Sequence, residues 1–278
     1  MTIPELIKTT LQEDIGSGDH SSLAAVPKDT KGKMKLLVKE NGIIAGIEVA
    51  KEVLRQVDPS ITMNCFMKDG DAIVVKDIVF EIEGPSRSML TAERTLLNFM
   101  QRLSGIATVS KQYADAVKGT KAKILDTRKT TPNLRELEKY AVKIGGCENH
   151  RFGLYDMIML KDNHIDFAGG IPKSIDDTHE YLQKNGLNLK IEIETRSIEE
   201  VKRVLKHGKI DRIMLDNFTP EKLKEAVQLI AGKYETEASG GITLQNIKEY
   251  AQAGVDYISI GALTHHIKSL DLSLKFTS

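Results

Sequence analysis

The stretch IEIETRSIEEVKRVLKHGKIDRIMLD, residues 191–216, contains one complete architectural unit. A β-branched run closes at Glu194. The segment SIEEVKRVLKHG (197–208) then carries apolar residues at three-to-four spacing, and a second apolar run closes at Asp216. The unit recurs. Apolar runs end at Leu125, Leu160, Glu194, Asp216, Ser239 and Gly261, and the last four ends are 22, 23 and 22 residues apart, the length of one strand, one helix and short loops. Helical patterns at 133–145, 174–186, 219–232 and 243–254 fill the other intervals. Strands that alternate with helices must run parallel, joined by right-handed crossovers. Helices of similar length with no nucleotide fingerprint favour a barrel over an open sheet, yet six runs fall short of the eight of a complete one. The expected fold is therefore α/β, an incomplete, about six-stranded α/β barrel.

The first half has a different texture. Residues 4–13 are helical in pattern, and EDIGSGDHSS (13–22) reads as a loop. MKLLVKENGIIAG (34–46), ITMNCFM (61–67) and IVFEIEG (78–84) read as strands, with a tight turn at Asn41-Gly42, while 47–57 is an amphipathic helix. These describe a smaller N-terminal α+β sandwich-like domain. Residues 86–118 read as two successive helices broken at Ser104-Gly105. The tail SLDLSLKF (269–276) alternates in period two and suits a strand returning to the first domain. The expected division is 1–105 for the N-terminal domain, joined by a strand within 267–278, and 106–266 for the barrel.

Composition narrows the function classes. The chain has 278 residues, 41% of them hydrophobic, with 39 basic residues balanced by 39 acidic ones. Zero net charge argues against a general nucleic-acid surface and requires any anion site to be locally concentrated. The N-terminal segment has no apolar signal region, and no run approaches the ~18 apolar residues of a membrane span. Cys65 and Cys147 are too far apart for a C-x-x-C metal or redox motif. A cytoplasmic protein with no membrane partner is expected.

In a β/α barrel, chemistry gathers at the C-terminal ends of the strands. There the sequence places Asp126, Arg128 and Lys129, within DTRKTTPNLR (126–135); Lys161 and Asp162; Glu194; Asp216; Ser239, Gly240 and Gly241; and Gly261, followed by ALTHH (262–266). NHR (149–151) feeds the second strand. If Arg128, Lys129, Arg151 and Lys161 converge, each like-charged pair at ~4 Å costs roughly 4 kcal/mol at an effective dielectric of about 20. Such a cluster needs anions. Glu194 and Asp216 suit hydroxyls or a divalent cation, and the turns SGG and GALTH, each opening a helix, suit phosphate. Singly, each feature has a plainer reading: turn chemistry for the glycines, solvated charges for Lys129 and Arg135, a loop histidine for His150, a surface pair for His265 and His266. Their coincidence at successive strand ends favours a phosphorylated substrate together with a second anion.

The blocks EDIGSGD, AERTLLNFMQRLSGIAT, DTRKTTPNLRELEKYAV, NHRFGLYDMIMLKDNH, IEIE, IMLDN, EASGGI and ISIGALTH resemble those of quinolinate phosphoribosyltransferase, the decarboxylating nicotinate-nucleotide pyrophosphorylase, in order from about residue 13 to 265. The resemblance implies transfer of phosphoribose from phosphoribosyl pyrophosphate to quinolinate, with loss of carbon dioxide, giving nicotinate mononucleotide for NAD biosynthesis. It implies magnesium, no organic cofactor, and a homodimer whose subunits share active sites. By the same resemblance Arg128, Arg151, His150 and Lys161 hold quinolinate, with Lys129 nearby and Arg94 reaching from the partner subunit. Glu194 and Asp216 serve the ribose hydroxyls and magnesium, with Lys129, Lys161, Glu194 and Asp216 as the catalytic set. Ser239, Gly240, Gly241, Gly261 and His265 match the phosphate-binding turns. Cys147 replaces a glycine usual before NHR, and His266 a smaller residue. Two other enzyme readings stay open at this level: a phosphoribosyltransferase of the same fold acting on another pyridine acid, and a Schiff-base lyase using Lys161.

Overall fold

The computed structural model describes residues 1–277. In chain order the elements are α1 (Ile3–Ile15), α2 (His20–Ala25), β1 (Lys31–Val38), β2 (Gly42–Ile43), α3 (Ile47–Val57), β3 (Thr62–Cys65), β4 (Ala72–Ile73), β5 (Ile78–Pro85), α4 (Ser86–Ala116), β6 (Lys123–Leu125), α5 (Arg135–Ile144), β7 (Ile158–Leu160), α6 (Asp162–Ala168), α7 (Ile171–Asn185), β8 (Ile191–Thr195), α8 (Ile198–His207), β9 (Arg212–Asp216), α9 (Pro220–Ile230), β10 (Glu235–Ser239), α10 (Ile247–Gln252), β11 (Tyr257–Ser259), α11 (Ala262–His265) and β12 (Leu272–Thr277). The chain forms two compact units, one of residues 1–111, 130–146 and 263–278, the other of 112–129 and 147–262.

The first unit is built on an antiparallel sheet ordered β12-β1-β5-β3. Along β1 the residues Met34, Leu36 and Val38 are buried while their neighbours are not, so period-two alternation seats one face on the core. The C-terminal strand pairs with β1 from Lys33↔Thr277 to Val38↔Leu272. α3 buries Ile47, Val49, Ala50, Val53 and Leu54, and its first N–H groups donate to the Asp69 carboxylate, from Gly46 and Ile47 at 3.0 Å each.

Three local expectations are corrected here. Residues 86–116 form one continuous helix, with no break at Ser104-Gly105. Both residues serve close packing: Ser104 Oγ accepts from Ala45 N at 3.0 Å, and a Cβ on Gly105 would overlap the Lys268 carbonyl oxygen. Asn41-Gly42 turns no hairpin, because β1 pairs with β5 and β12 while β2 pairs with β4. Its Asn41 side chain instead accepts from Val75 N at 2.9 Å. The 13–22 segment is only partly loop: α1 runs on to Ile15, and Asp19 caps α2 by accepting from Ser22 N at 3.0 Å.

The second unit holds six parallel strands in the order β6-β11-β10-β9-β8-β7. Sequence-adjacent strands β7 to β11 are neighbours in space, as right-handed β/α crossovers require. Beside β6, the segment at Glu148 bridges Leu125, with Glu148 N donating to Ile124 O at 2.8 Å. This is the incomplete α/β barrel. Side chains alternate between the covering helices and the interior, so Ile191, Ile193, Ile213 and Leu215 pack under helices while every second residue is left for the interior or the mouth.

Candidate active site

The strand ends of the second unit bring several of the expected residues together. At the end of β9 the Asp216 carboxylate is held on both oxygens: Ser239 Oγ donates to Oδ1 at 2.5 Å and Asn217 Nδ2 to Oδ2 at 2.6 Å. Asn217 takes the left-handed region (φ 56°), and its N–H donates to Ser239 O at 2.8 Å. Gly240, at φ 86°, lies flush against it: a Cβ there would overlap the Asn217 side-chain oxygen. The first glycine of SGG is therefore a steric requirement. The expectation that SGG opens a helix is corrected, since α10 begins only at Ile247. Gly261 does open α11 directly.

Glu194, at the end of β8, is half-buried beside Asp216 and faces Lys161. Burial first, then the Asp216 charge, raise its carboxyl above the ordinary value, while Lys161 opposes them. Glu194 and Asp216, neighbouring carboxylates at the ends of β8 and β9, offer hard oxygen donors of the kind that suit a divalent cation such as magnesium. Lys161 is placed by its own motif: its backbone N–H donates to His164 Nδ1 at 2.9 Å, one turn into α6. This gives the histidine of KDNH a function that composition alone did not suggest.

On the other side of the mouth, Arg128 and Arg151 are close. Burial and then the Arg128 charge lower the basicity of Arg151, whose Nη1 donates to Met157 O at 3.1 Å. Lys129 is exposed, and its N–H donates to Thr127 Oγ1 at 3.0 Å. Arg94, exposed on α4, and His265, exposed at the end of α11 against His266, belong to the first unit.

His150 is placed differently from its neighbours. Its side chain is only 5% exposed, with Nε2 at 3.0 Å from Glu192 and 3.4 Å from Glu237, both fully buried in the barrel interior. Asp126, also fully buried, accepts from His150 N at 2.8 Å. His150 Nδ1 accepts from Arg151 N at 2.7 Å. Burial lowers the basicity of the ring, but the two glutamates outweigh it and raise it to about 9. Glu192 is raised to about 7 by burial and then by Glu237. The Arg151 N–H lies against Nδ1, so that nitrogen is the acceptor and Nε2 turns toward the two glutamates. The atoms of His150, Glu192 and Glu237 gather within 4.8 Å, a spacing usable by a metal. Arg212 opposes that reading, because its Nη1, at 2.8 Å from Glu237 Oε2, already sets a fixed positive charge beside these atoms. Glu192 and Glu194, two residues apart on β8, share one side of the strand. The missed signal was ionisable residues recurring in adjoining strands at Glu192, Arg212, Glu235 and Glu237, which the pairing registers Glu192↔Arg212 and Glu235↔Arg212 bring side by side.

Residues 106–275 match the C-terminal domain, and residues 19–104 the N-terminal domain, of the quinolinate phosphoribosyl transferase family. A Nicotiana tabacum protein named quinolinate phosphoribosyltransferase (decarboxylating) 2b, mitochondrial, is 47% identical over 98% of this chain and 82% of its own length. An Arabidopsis thaliana nicotinate-nucleotide pyrophosphorylase (carboxylating), chloroplastic, is 47% identical over 97% of this chain and 81% of its own. The crystal structure of NadC from Streptococcus pyogenes superposes with a TM-score of 0.94 at 41% identity, covering 99% of this chain and 97% of that one. With both domains matched in order and these relatives similar along nearly the whole chain, the protein belongs to the quinolinate phosphoribosyltransferase family.

Proposed function

We infer that this chain transfers the phosphoribosyl group of phosphoribosyl pyrophosphate to quinolinate and releases pyrophosphate and carbon dioxide, forming nicotinate mononucleotide for NAD biosynthesis. The observation that carries the reading is the pairing, in one barrel mouth, of an Arg128–Arg151 cation pair with a Lys161–Glu194–Asp216 cluster. A planar diacid neutralises the first, and guanidinium forks orient its carboxylates. His150 contributes from below by fixing Arg151, and Lys161 and Lys129 add positive charge at the rim. Arg94 is assigned to the partner subunit's acceptor site in a homodimer, a role that its exposure on α4 supports.

As the pyridine nitrogen attacks the anomeric carbon, the bond to pyrophosphate breaks and positive charge develops on the ribose. Glu194 and Asp216 stabilise that charge, Asp216 in an orientation fixed by Ser239 and Asn217. Magnesium bound at Glu194 and Asp216 would supply charge neutralisation for the departing pyrophosphate. Ser239, Gly240, Gly241 and Gly261 take the phosphates. The N-ribosylated ring is then cationic; it accepts the electron pair left when the adjacent carboxylate departs as carbon dioxide, and the ring carbon takes up a proton. Lys161 and the arginines desolvate that carboxylate without forming a covalent bond, so a trapped Lys161 adduct would count against this role.

Among the described residues no helix is long and apolar enough to cross a membrane. The cytoplasm is the proposed location, supported by Cys65 and Cys147, which are not joined in a disulfide. The deciding assay mixes the protein with phosphoribosyl pyrophosphate, magnesium and either quinolinate or nicotinate, following the mononucleotide by mass and carbon dioxide by release. Turnover of nicotinate but not quinolinate would overturn the acceptor. Mixed dimers of Arg94→Ala and Arg128→Ala subunits should recover one working site, and no recovery at any ratio would refute shared sites.

A further inference from the structure

Arg212 opens β9 at the end of the barrel opposite Asp216, four residues and roughly 13 Å of strand away from the mouth. Its guanidinium nevertheless joins a chain of contacts that leads back to the acceptor side. Nη1 donates to Glu237 Oε2 at 2.8 Å, Nη2 and Nε reach Glu235 Oε2 at 3.1 and 3.3 Å, and the guanidinium carbon lies 3.9 Å over the Tyr257 ring. Tyr257 in turn donates to Glu235 Oε1 at 3.3 Å. Glu237 Oε2 also faces His150 Nε2, beside the Glu192 carboxylate, and His150 Nδ1 receives the Arg151 N–H.

A purely structural role explains this poorly. Buried carboxylates each cost several kcal/mol to desolvate, and apolar side chains of similar volume in a barrel interior do as well or better for stability. What an apolar layer would not provide is carboxylate charge 3.0 and 3.4 Å from His150 Nε2. With those charges in place the ring is held in one orientation, Nε2 toward the glutamates and Nδ1 toward the Arg151 N–H. Without Arg212, Glu237 is an uncompensated buried anion, and the two glutamates no longer form a stable seat for the ring.

Resting on the acceptor assignment above, we propose that Arg212 is a positioning residue for the diacid site: through Glu237 and Glu192 it fixes the His150 ring and, with it, the main chain of Arg151. The inference extends the site to the far end of the barrel and to four residues, Glu192, Arg212, Glu235 and Glu237, outside the strand-end ring.

The test compares wild type, Arg212→Met and Arg212→Lys. Arg212→Met should raise KM for quinolinate by about tenfold or more, with KM for phosphoribosyl pyrophosphate changed by less than about twofold, because misplacing a recognition group by a fraction of an ångström weakens only its own ligand. Arg212→Lys, which keeps the charge on Glu237, should recover most of the loss. A second readout needs no turnover: in ¹⁵N-histidine-labelled protein His150 should show the Nε2–H tautomer, and Arg212→Met should move the Nδ1 resonance away from its unprotonated position. Should Arg212→Met fail to fold, the charge-balanced Arg212→Met/Glu237→Gln double variant carries the same expectations. A folded variant with unchanged quinolinate KM, or with an unchanged Nδ1 signature, overturns the proposal. Wild-type protein that turns over no quinolinate would instead sink the acceptor assignment, and the nitrogen signature would still decide whether Arg212 seats the ring.

Discussion

Gly240 and Asn217 occupy adjoining left-handed positions on neighbouring strand ends, so close that the glycine has no room for a Cβ beside the Asn217 amide. Since Asn217 grips one oxygen of Asp216, the contact ties the SGG turn to the carboxylate expected to serve the ribose. Gly240→Ala should displace Asn217 and loosen Asp216. A fall in kcat/KM for phosphoribosyl pyrophosphate of about a hundredfold is expected, with a loss of roughly 1–3 kcal/mol in stability from the strained backbone. Steady-state kinetics and denaturant melts check the two separately. Wild-type kinetics in the alanine variant would show that the close approach has no bearing on Asp216.

Glu194 should trade stability for function. Its folded-state pKa is raised, by burial and then by Asp216, so its contribution to stability is present below the unfolded value of 4.5 and lost as pH rises through the folded value. At neutral pH the ligand-free protein carries the cost of ionising it. Glu194→Gln should therefore melt at a higher temperature than wild type at pH 7, with the difference vanishing near pH 4, while kcat falls by about 10²–10³. Scanning calorimetry at the two pH values tests the sign.

The DTRKTTPNLR segment also has a structural duty. Fully buried Glu138 on α5 receives Arg102 Nε at 2.8 Å and Nη2 at 2.5 Å, and accepts from Thr131 N at 3.1 Å. Arg102 Nη2 reaches Thr131 Oγ1 at 2.8 Å and Thr264 O at 3.2 Å. Glu138→Ala leaves a partly buried guanidinium without its carboxylate and should cost about 3–5 kcal/mol. Urea denaturation followed by circular dichroism measures this. A midpoint unchanged from wild type would mean that the ion pair contributes nothing net.

Cys147 should be inert. Burial, followed by the Asp126 charge, pushes its thiol up to about 12, and only the thiolate reacts. Because the folded pKa lies above the reference value of 9.0, the associated stability is present below about pH 9 and is lost toward pH 12. In native protein at pH 8, iodoacetamide should modify Cys65 first and Cys147 only on unfolding, as peptide mass mapping would reveal. Rapid native labelling of Cys147 would contradict the burial argument.

Much of this molecule follows from local pattern. The 22- and 23-residue recurrence of strand ends gave six parallel strands and an incomplete barrel, because side-chain period and loop length are properties of neighbouring residues. The strand-end positions of Arg128, Lys161, Glu194, Asp216 and Ser239 followed from that register. Local pattern failed where a residue answers to a distant one. Ser104-Gly105 looks like a helix break but permits approach to Ala45 and Lys268, and Asn41-Gly42 looks like a hairpin but anchors Val75. The interior ion network is the clearest case. Glu192, Arg212, Glu237 and His150 are each unremarkable in sequence, and only the parallel register of β8, β9 and β10 brings them together where water cannot screen them. Sequence determined which residues stand at the barrel mouth, since that depends on periodicity; tertiary structure decided which charges are buried together, since desolvation and pairing depend on contacts across strands.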